Sequence, residues 1–306
     1  MSWRRRLTDS VYAGGWHAVR RLPGPVARVG FRTGADLACL RSGAGVRRLR
    51  ANLARVVAVT PELAGTDVDV LARRAMRSYA RYWEEVFRLP VIPTARITGD
   101  MRVFDEQLLH DACGRERGVI LALPHTGNWD HAGAWLLAAG IPFTTVVERL
   151  DPPELFDRFV AFRESLGMEV VPLTGGSRPP FDRLAARLRA GGVLCLLADR
   201  DLTGAGRPVQ FFGASASMPV GPALLALRTG AVLLPVTLWY DDPAPWNARI
   251  HSPIDDPGTG TVTARATAMT QQLADAFATG IAAHPQDWHM LARVWDGPER
   301  DTRAGP

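Results

Sequence analysis

Residues 119–147 read VILALPHTGNWDHAGAWLLAAGIPFTTVV. Val119–Pro124 is a short, unbroken apolar run. Trp129–Ala139 has the composition of a buried helix and meets Gly140, a residue that ends helices. Phe143–Val147 is a second apolar run, rich in β-branched residues. Two apolar strands joined by a helix predict a parallel crossover in a sheet covered on both faces, since a strand with one wet face would alternate instead. The alternation continues downstream. Pro153–Leu166 reads as a helix ended by Gly167, Glu169–Leu173 as a strand, and Pro180–Ala190 as a helix ended by Gly191-Gly192. Val193–Ala198 reads as a strand, Pro219–Arg228 as a helix and Ala231–Tyr240 as a strand. Upstream, the pattern is helical to about residue 90, where Pro90 and Pro93 close it. The expectation is an α/β fold with a mostly parallel central sheet flanked by helices and an N-terminal helical appendage. One domain spans 1–306, with a basic amphipathic helical region over 1–60, an α/β core over 91–296 and a disordered tail over 297–306.

A chain of 306 residues, 47% apolar and 22% charged, buries a sizeable core, which excludes a disordered chain and a small disulfide scaffold. Cys39, Cys113 and Cys195 stand singly, without zinc spacing, so a reducing compartment is expected. The net charge of +5 is uneven: residues 1–50 hold eleven Arg against only Asp9 and Asp36. Such a surface attracts polyanions. Wound as a helix, residues 3–22 bring Trp3, Leu7, Val11, Ala18 and Leu22 within about 100° of each other, with Arg4 and Arg21 on the rim. A basic amphipathic helix with an aromatic anchor suits a membrane surface, and an ordinary core-packed helix is the plain alternative. No aromatic–basic RNA signature or helix-turn-helix pattern accompanies the charge, so no nucleic-acid partner is expected. The start lacks an uninterrupted apolar segment and an A-x-A site, so no signal peptide is expected. The most apolar stretch, Met218–Tyr240, is broken by Arg228, Thr229 and Gly230, so none spans a bilayer.

Sheets of this kind collect ligands at the carboxyl ends of their strands. His125 follows the first strand, Glu148 the second and Asp199 the fourth, so three titratable residues converge on one edge. In His125-Thr-Gly-Asn-Trp-Asp130, a turn at Gly127 can fold the Asp130 carboxylate back onto one imidazole nitrogen. The other nitrogen is then free to take a proton. Asp130 capping the helix, or a metal pair with His131, are the competing readings. Arg163 falls in the middle of the apolar face of its helix, between Phe156 and Phe159. A guanidinium there needs a carboxylate or phosphate; Glu148, at the end of the preceding strand, is the natural partner, either as a structural ion pair or as a pair that positions the catalytic edge or contacts an anionic ligand. No nucleophile is evident in the sequence: GASASMP lacks the last glycine of a serine elbow, and Cys195 lies inside a strand. Direct transfer to a substrate hydroxyl fits a His/Asp pair without a protein nucleophile.

His125-x4-Asp130 resembles the signature of the glycerolipid acyltransferase superfamily. HTGNWD, Glu148-Arg149, Phe159-x3-Arg163-x3-Gly167 and Asp199-Arg200-Asp201 are similar to its lipid A lauroyl/myristoyl acyltransferase branch. ADRDLTGAGRPVQFFGASASMPVGPALLALRTGA and DWHMLARVW resemble the actinobacterial phosphatidylinositol mannoside acyltransferases, over roughly residues 1–296. The resemblance implies a peripheral enzyme on the cytoplasmic face of the cell membrane, moving a long fatty acyl chain, palmitoyl by expectation, from acyl-CoA. The acceptor is a mannose hydroxyl of a phosphatidylinositol mannoside, and no metal or redox cofactor is required. His125 would be the general base and Asp130 its orienting acid. Asp199 would contact the acceptor sugar or His125, Glu148 and Arg163 would brace the site, and Arg200 would bind substrate or brace the site. Where the relatives carry Glu at position 199, this chain has Asp199. Another glycolipid or a lysophospholipid acceptor is the rival inside the enzyme class, and a lipid-binding module with an inert His125 the rival outside it.

Overall fold

The computed structural model describes residues 19–148, 153–173, 180–202, 204–241 and 245–295. Helices α1 (Gly24–Arg41), α2 (Ala44–Val59) and α3 (Val68–Arg88) precede the first strand. Asp67 caps α3 by accepting from the backbone N–H groups of Asp69 and Val70 at 2.8 and 3.2 Å. After α4 (Thr94–Gly99) come β1 (Met101–Phe104) and α5 (Gln107–Gly114). The predicted alternation then appears as β2 (Val119–Leu123), α6 (Trp129–Ala138), β3 (Phe143–Val147), α7 (Pro153–Ser165), β4 (Glu169–Pro172), α8 (Pro180–Arg189) and β5 (Val193–Leu197). The chain continues through β6 (Arg207–Phe211), β7 (Ala214–Met218), α9 (Gly221–Thr229), β8 (Val232–Trp239), β9 (Trp246–Ile250) and α10 (Val262–Ala283).

Seven strands form one sheet in the order β1-β9-β8-β2-β5-β3-β4. The five strands from β8 to β4 pair in parallel, β9 runs antiparallel to β8, and β1 follows β9. The fold is therefore α/β with a mostly parallel sheet flanked by helices. All five residues of β2 are buried. Ile120 and Ala122 join a core with α8, α9 and α10, while Val119, Leu121 and Leu123 pack against α3, α5, α6 and α7 on the other face. Period two along a strand puts neighbours on opposite faces, which explains why an unbroken apolar run belongs in a central strand.

The β6–β7 hairpin, β9 and the 22-residue α10 lie outside the elements read from sequence. The hairpin turns on Phe212 and Gly213, both with positive φ, and three of the five residues of β6 are exposed, so hydrophobic periodicity is weak there. Residues 1–18, most of the expected N-terminal amphipathic helix, and the 297–306 tail fall outside the described residues, as does Arg149.

Candidate active site

The carboxyl ends of β2, β3 and β5 meet at one edge, as the strand order requires. Register places Leu123 of β2 beside Leu197 of β5, and the Ala198 N–H donates to the Leu123 carbonyl at 2.8 Å. The next residue on β5, Asp199, thereby arrives beside His125. Its Oδ1 lies 2.5 Å from His125 Nδ1, and its Oδ2 accepts the His125 backbone N–H at 2.9 Å. The Trp288 indole N–H donates to the same Oδ2 at 3.0 Å. Burial raises the Asp199 carboxyl, but the charge of His125 and these three donors outweigh it and hold the group below the ordinary carboxylate range. A carboxylate on Nδ1 selects the tautomer with the proton there and leaves the Nε2 lone pair available. The ring keeps 23% of its surface exposed, while Asp199 is fully buried.

This pairing corrects the sequence expectation for Asp130. That carboxylate does not hold His125: its Oδ1 accepts Arg163 Nε at 2.7 Å, and its Oδ2 accepts the Tyr82 hydroxyl at 2.7 Å and a second Arg163 nitrogen at 3.1 Å. Nor is Asp130 the helix cap. Asn128 caps α6, accepting from the His131 N–H at 2.9 Å and donating to Glu85 at 2.8 Å. The expected partner of Arg163 is corrected with it. Glu148 sits at the exposed rim, 3.6 Å from Arg200, and Asp130 satisfies the guanidinium instead. Burial lowers the Arg163 pKa, yet the charge and hydrogen bonds of Asp130 raise it above its ordinary value. His131 stacks on Trp246 with ring centroids 3.8 Å apart, fully buried, and its pKa falls to about 4 by desolvation. It does not join His125 and Asp130 in a metal site.

A strap that sequence reasoning met only as part of a resemblance closes the back of the site. Residues 287–289 run antiparallel to the His125 loop: His289 N–H donates to the His125 carbonyl at 2.7 Å, and Gly127 N–H to the Asp287 carbonyl at 3.0 Å. Gly127 has φ +53°, and a Cβ there would lie 2.8 Å from Leu238 Cβ, so the turn requires glycine. Behind the strap Ser78 donates to Asp287 at 2.6 Å and lies 2.9 Å from His289 Nε2. Burial pushes the Asp287 carboxyl up to about 6 and the His289 imidazole down to about 3.

His125 opens onto a cavity of about 430 Å³. Its wall is mostly apolar, including Trp129, Val146, Phe159, Leu197 and Leu225, and Glu148, Arg200 and Asp201 stand among its few polar side chains. An imidazole at the edge of an apolar groove can take a proton from a hydroxyl positioned beside a long hydrocarbon.

Residues 1–296 match the family of bacterial lipid A biosynthesis acyltransferases. The chain belongs to this family. Among curated relatives of this acyltransferase, a phosphatidylinositol mannoside acyltransferase of Mycolicibacterium smegmatis is 48% identical over 299 residues, covering 97% of this chain and 94% of the relative. A phosphatidylinositol mannoside acyltransferase of Mycobacterium tuberculosis is 48% identical over 293 residues, covering 95% of this chain and 89% of that protein.

Proposed function

We propose that this acyltransferase moves a long fatty acyl chain from acyl-CoA to a mannose hydroxyl of a phosphatidylinositol mannoside, without a covalent acyl-enzyme. The single observation that carries the reading is the buried Asp199 on His125 Nδ1, with the ring lining an apolar cavity. His125 Nε2 removes the proton from the acceptor hydroxyl as its oxygen attacks the thioester carbonyl carbon. Asp199 stabilises the imidazolium that forms. The carbon–sulfur bond then breaks, and the imidazolium returns the proton to the departing thiolate. The apolar wall accommodates the acyl chain, with Glu148 and Arg200 at the rim on the polar acceptor side. Asp130 and Arg163 brace the floor on which the His125 loop rests. This division of roles, with Asp199 orienting and Asp130 bracing, replaces the one expected from spacing.

The protein works at the cytoplasmic face of the membrane in this proposal. Val26, Val29, Leu37 and Leu40 form an exposed stripe along α1, all within about 80° of one another at 100° per residue. Arg28, Arg32 and Arg41 share that helix, an arrangement suited to an anionic lipid surface. No helix among the described residues is long and apolar enough to cross a membrane.

The test is incubation with radiolabelled palmitoyl-CoA and a panel of glycolipids and lysophospholipids, followed by product identification. A labelled mannose ester on phosphatidylinositol mannoside, lost in His125→Ala, is expected. Label on another acceptor overturns the acceptor assignment, and full turnover by His125→Ala overturns the general base.

A further inference from the structure

A second cavity, of about 620 Å³, lies on the other side of α3 from His125. Tyr82 and Trp83 of α3 face the catalytic cavity, whereas Arg74, Arg77, Ser78 and Arg81 of the same helix face this one. Helical spacing separates the two sets, so one helix serves as the wall between an apolar and a cationic chamber. Most of the arginines around the second cavity are neutralised. Arg77 is held by Asp36 at 2.7 Å, Arg81 by Glu85 at 2.7 Å, Arg88 by Glu84 at 3.4 Å and Arg96 by Asp100 at 2.8 Å. Arg28 and Arg32, from α1, and Arg74, from α3, line it with no carboxylate in ion-pair contact among the described residues. Carboxylates also line it: Glu84 and Glu85 are engaged by Arg88 and Arg81, and Asp287 accepts from Ser78 and from the Tyr240 backbone N–H. Arg32 feels the carboxylate of Asp36 at longer range, Arg28 that of Glu84 and Arg74 that of Asp287. Three guanidinium groups whose hydrogen-bonding forks engage no carboxylate directly among the described residues still surround a concave space, and those planar forks match phosphate oxygens.

We propose that this cavity binds a phosphate ester, at a site separate from the His125 cavity. It goes beyond the acyl-transfer reading and does not depend on it. A lipid headgroup is the source the geometry favours. Arg28 and Arg32 lie on one flank of α1, and Val26 and Val29 on the adjoining exposed face, so a phosphate held here has an apolar helix surface beside it for acyl chains. A soluble phosphate ester is the other source of the same chemistry.

Isothermal titration with two water-soluble probes, dihexanoyl phosphatidylinositol and adenosine 3′,5′-bisphosphate, tests the site and separates the sources. Dihexanoylglycerol serves as the uncharged control. Wild-type protein is expected to bind at least one phosphate probe, more weakly as salt rises. Arg28→Gln/Arg32→Gln/Arg74→Gln is expected to weaken that binding at least about thirtyfold, since three charge-assisted contacts are lost and even about threefold for each multiplies to that factor. Its melting curve should stay near wild type, since none of the three is held by a carboxylate among the described residues. Arg74→Glu alone gives a second, independent reading of the same effect. Binding of the lipid probe alone assigns a lipid headgroup, and of the bisphosphate alone a soluble ester. No binding of either probe, or unchanged binding in the variants, overturns the proposal. His125→Ala should bind as wild type does, so a failure of the catalytic reading leaves this result distinguishable.

Discussion

Two carboxylates serve the HTGNWD loop, and they behave as opposites. Asp199 meets an imidazole that opens to a cavity and can exchange a proton, and Asp130 meets a mostly buried guanidinium and a buried phenol on the wall of the same cavity. In the first pair one partner remains free to exchange a proton. In the second, the Asp130–Arg163 bond pairs two groups that would otherwise be left unmatched away from water. A motif that spells one His and one Asp thus divides between chemistry and scaffold. The difference is set by what the partner of each carboxylate can do.

Neutralising each acid in turn separates the two roles most widely. Asp199→Asn should lower kcat by about a thousandfold, since the amide no longer selects the Nδ1–H tautomer or stabilises the imidazolium, a drop within the range for general-base catalysis. Its melting temperature should move little by comparison. Asp130→Asn should do the reverse, costing about 3 kcal/mol of stability because Arg163 is left buried without its counter-charge. Arg163→Met alone strands Asp130 in the same way, and the double variant Asp130→Asn/Arg163→Met should recover much of the stability, as denaturant titration of all three would show. Equal stability in all of them would erase the distinction.

Smaller effects are expected one step away from each pair. Trp288→Phe removes one donor from Asp199 and should lower kcat about tenfold with KM nearly unchanged. A matching fall in kcat for Tyr82→Phe, which removes a donor only from the bracing pair, would blur the two roles. Asp287 supplies a pH test of the strap. Its folded pKa, about 6, exceeds the ordinary carboxylate value, so the folded state binds the extra proton between about pH 4 and 6. Stability should therefore fall as pH rises through that window, and Asp287→Asn should flatten the slope measured by chemical denaturation at several pH values.

Most of the parallel core was legible because each strand is a short apolar run and each crossover helix ends at glycine. Phe143–Val147 has the same bounds in sequence and structure. The antiparallel margin was less so: β9 reads WNARI, and the β6–β7 hairpin carries polar side chains on an exposed face, so neither shows the pattern of a buried strand. At the site, the need for a partner was visible and the partner was not. Arg163 on an apolar helix face demanded an acid, and found Asp130 rather than Glu148. His125 demanded one too. Asp130 is five residues away along the chain, but Asp199 is brought in by the neighbouring of β2 and β5, a fact of strand order that local spacing does not contain. The strap of Asp287, Trp288 and His289 was hidden for the same reason, its hydrogen bonds spanning far-separated segments of chain.

Nitrogen-15 NMR of the His125 ring, assigned by comparison with His125→Ala, examines the arrangement on which the chemistry rests. With the imidazole neutral, Nδ1 should be protonated and Nε2 unprotonated, with the proton signal at Nδ1 displaced in Asp199→Asn and retained in Asp130→Asn. A proton resident on Nε2, or a ring that responds to Asp130→Asn and ignores Asp199→Asn, would contradict the assignment of Asp199 as the orienting acid.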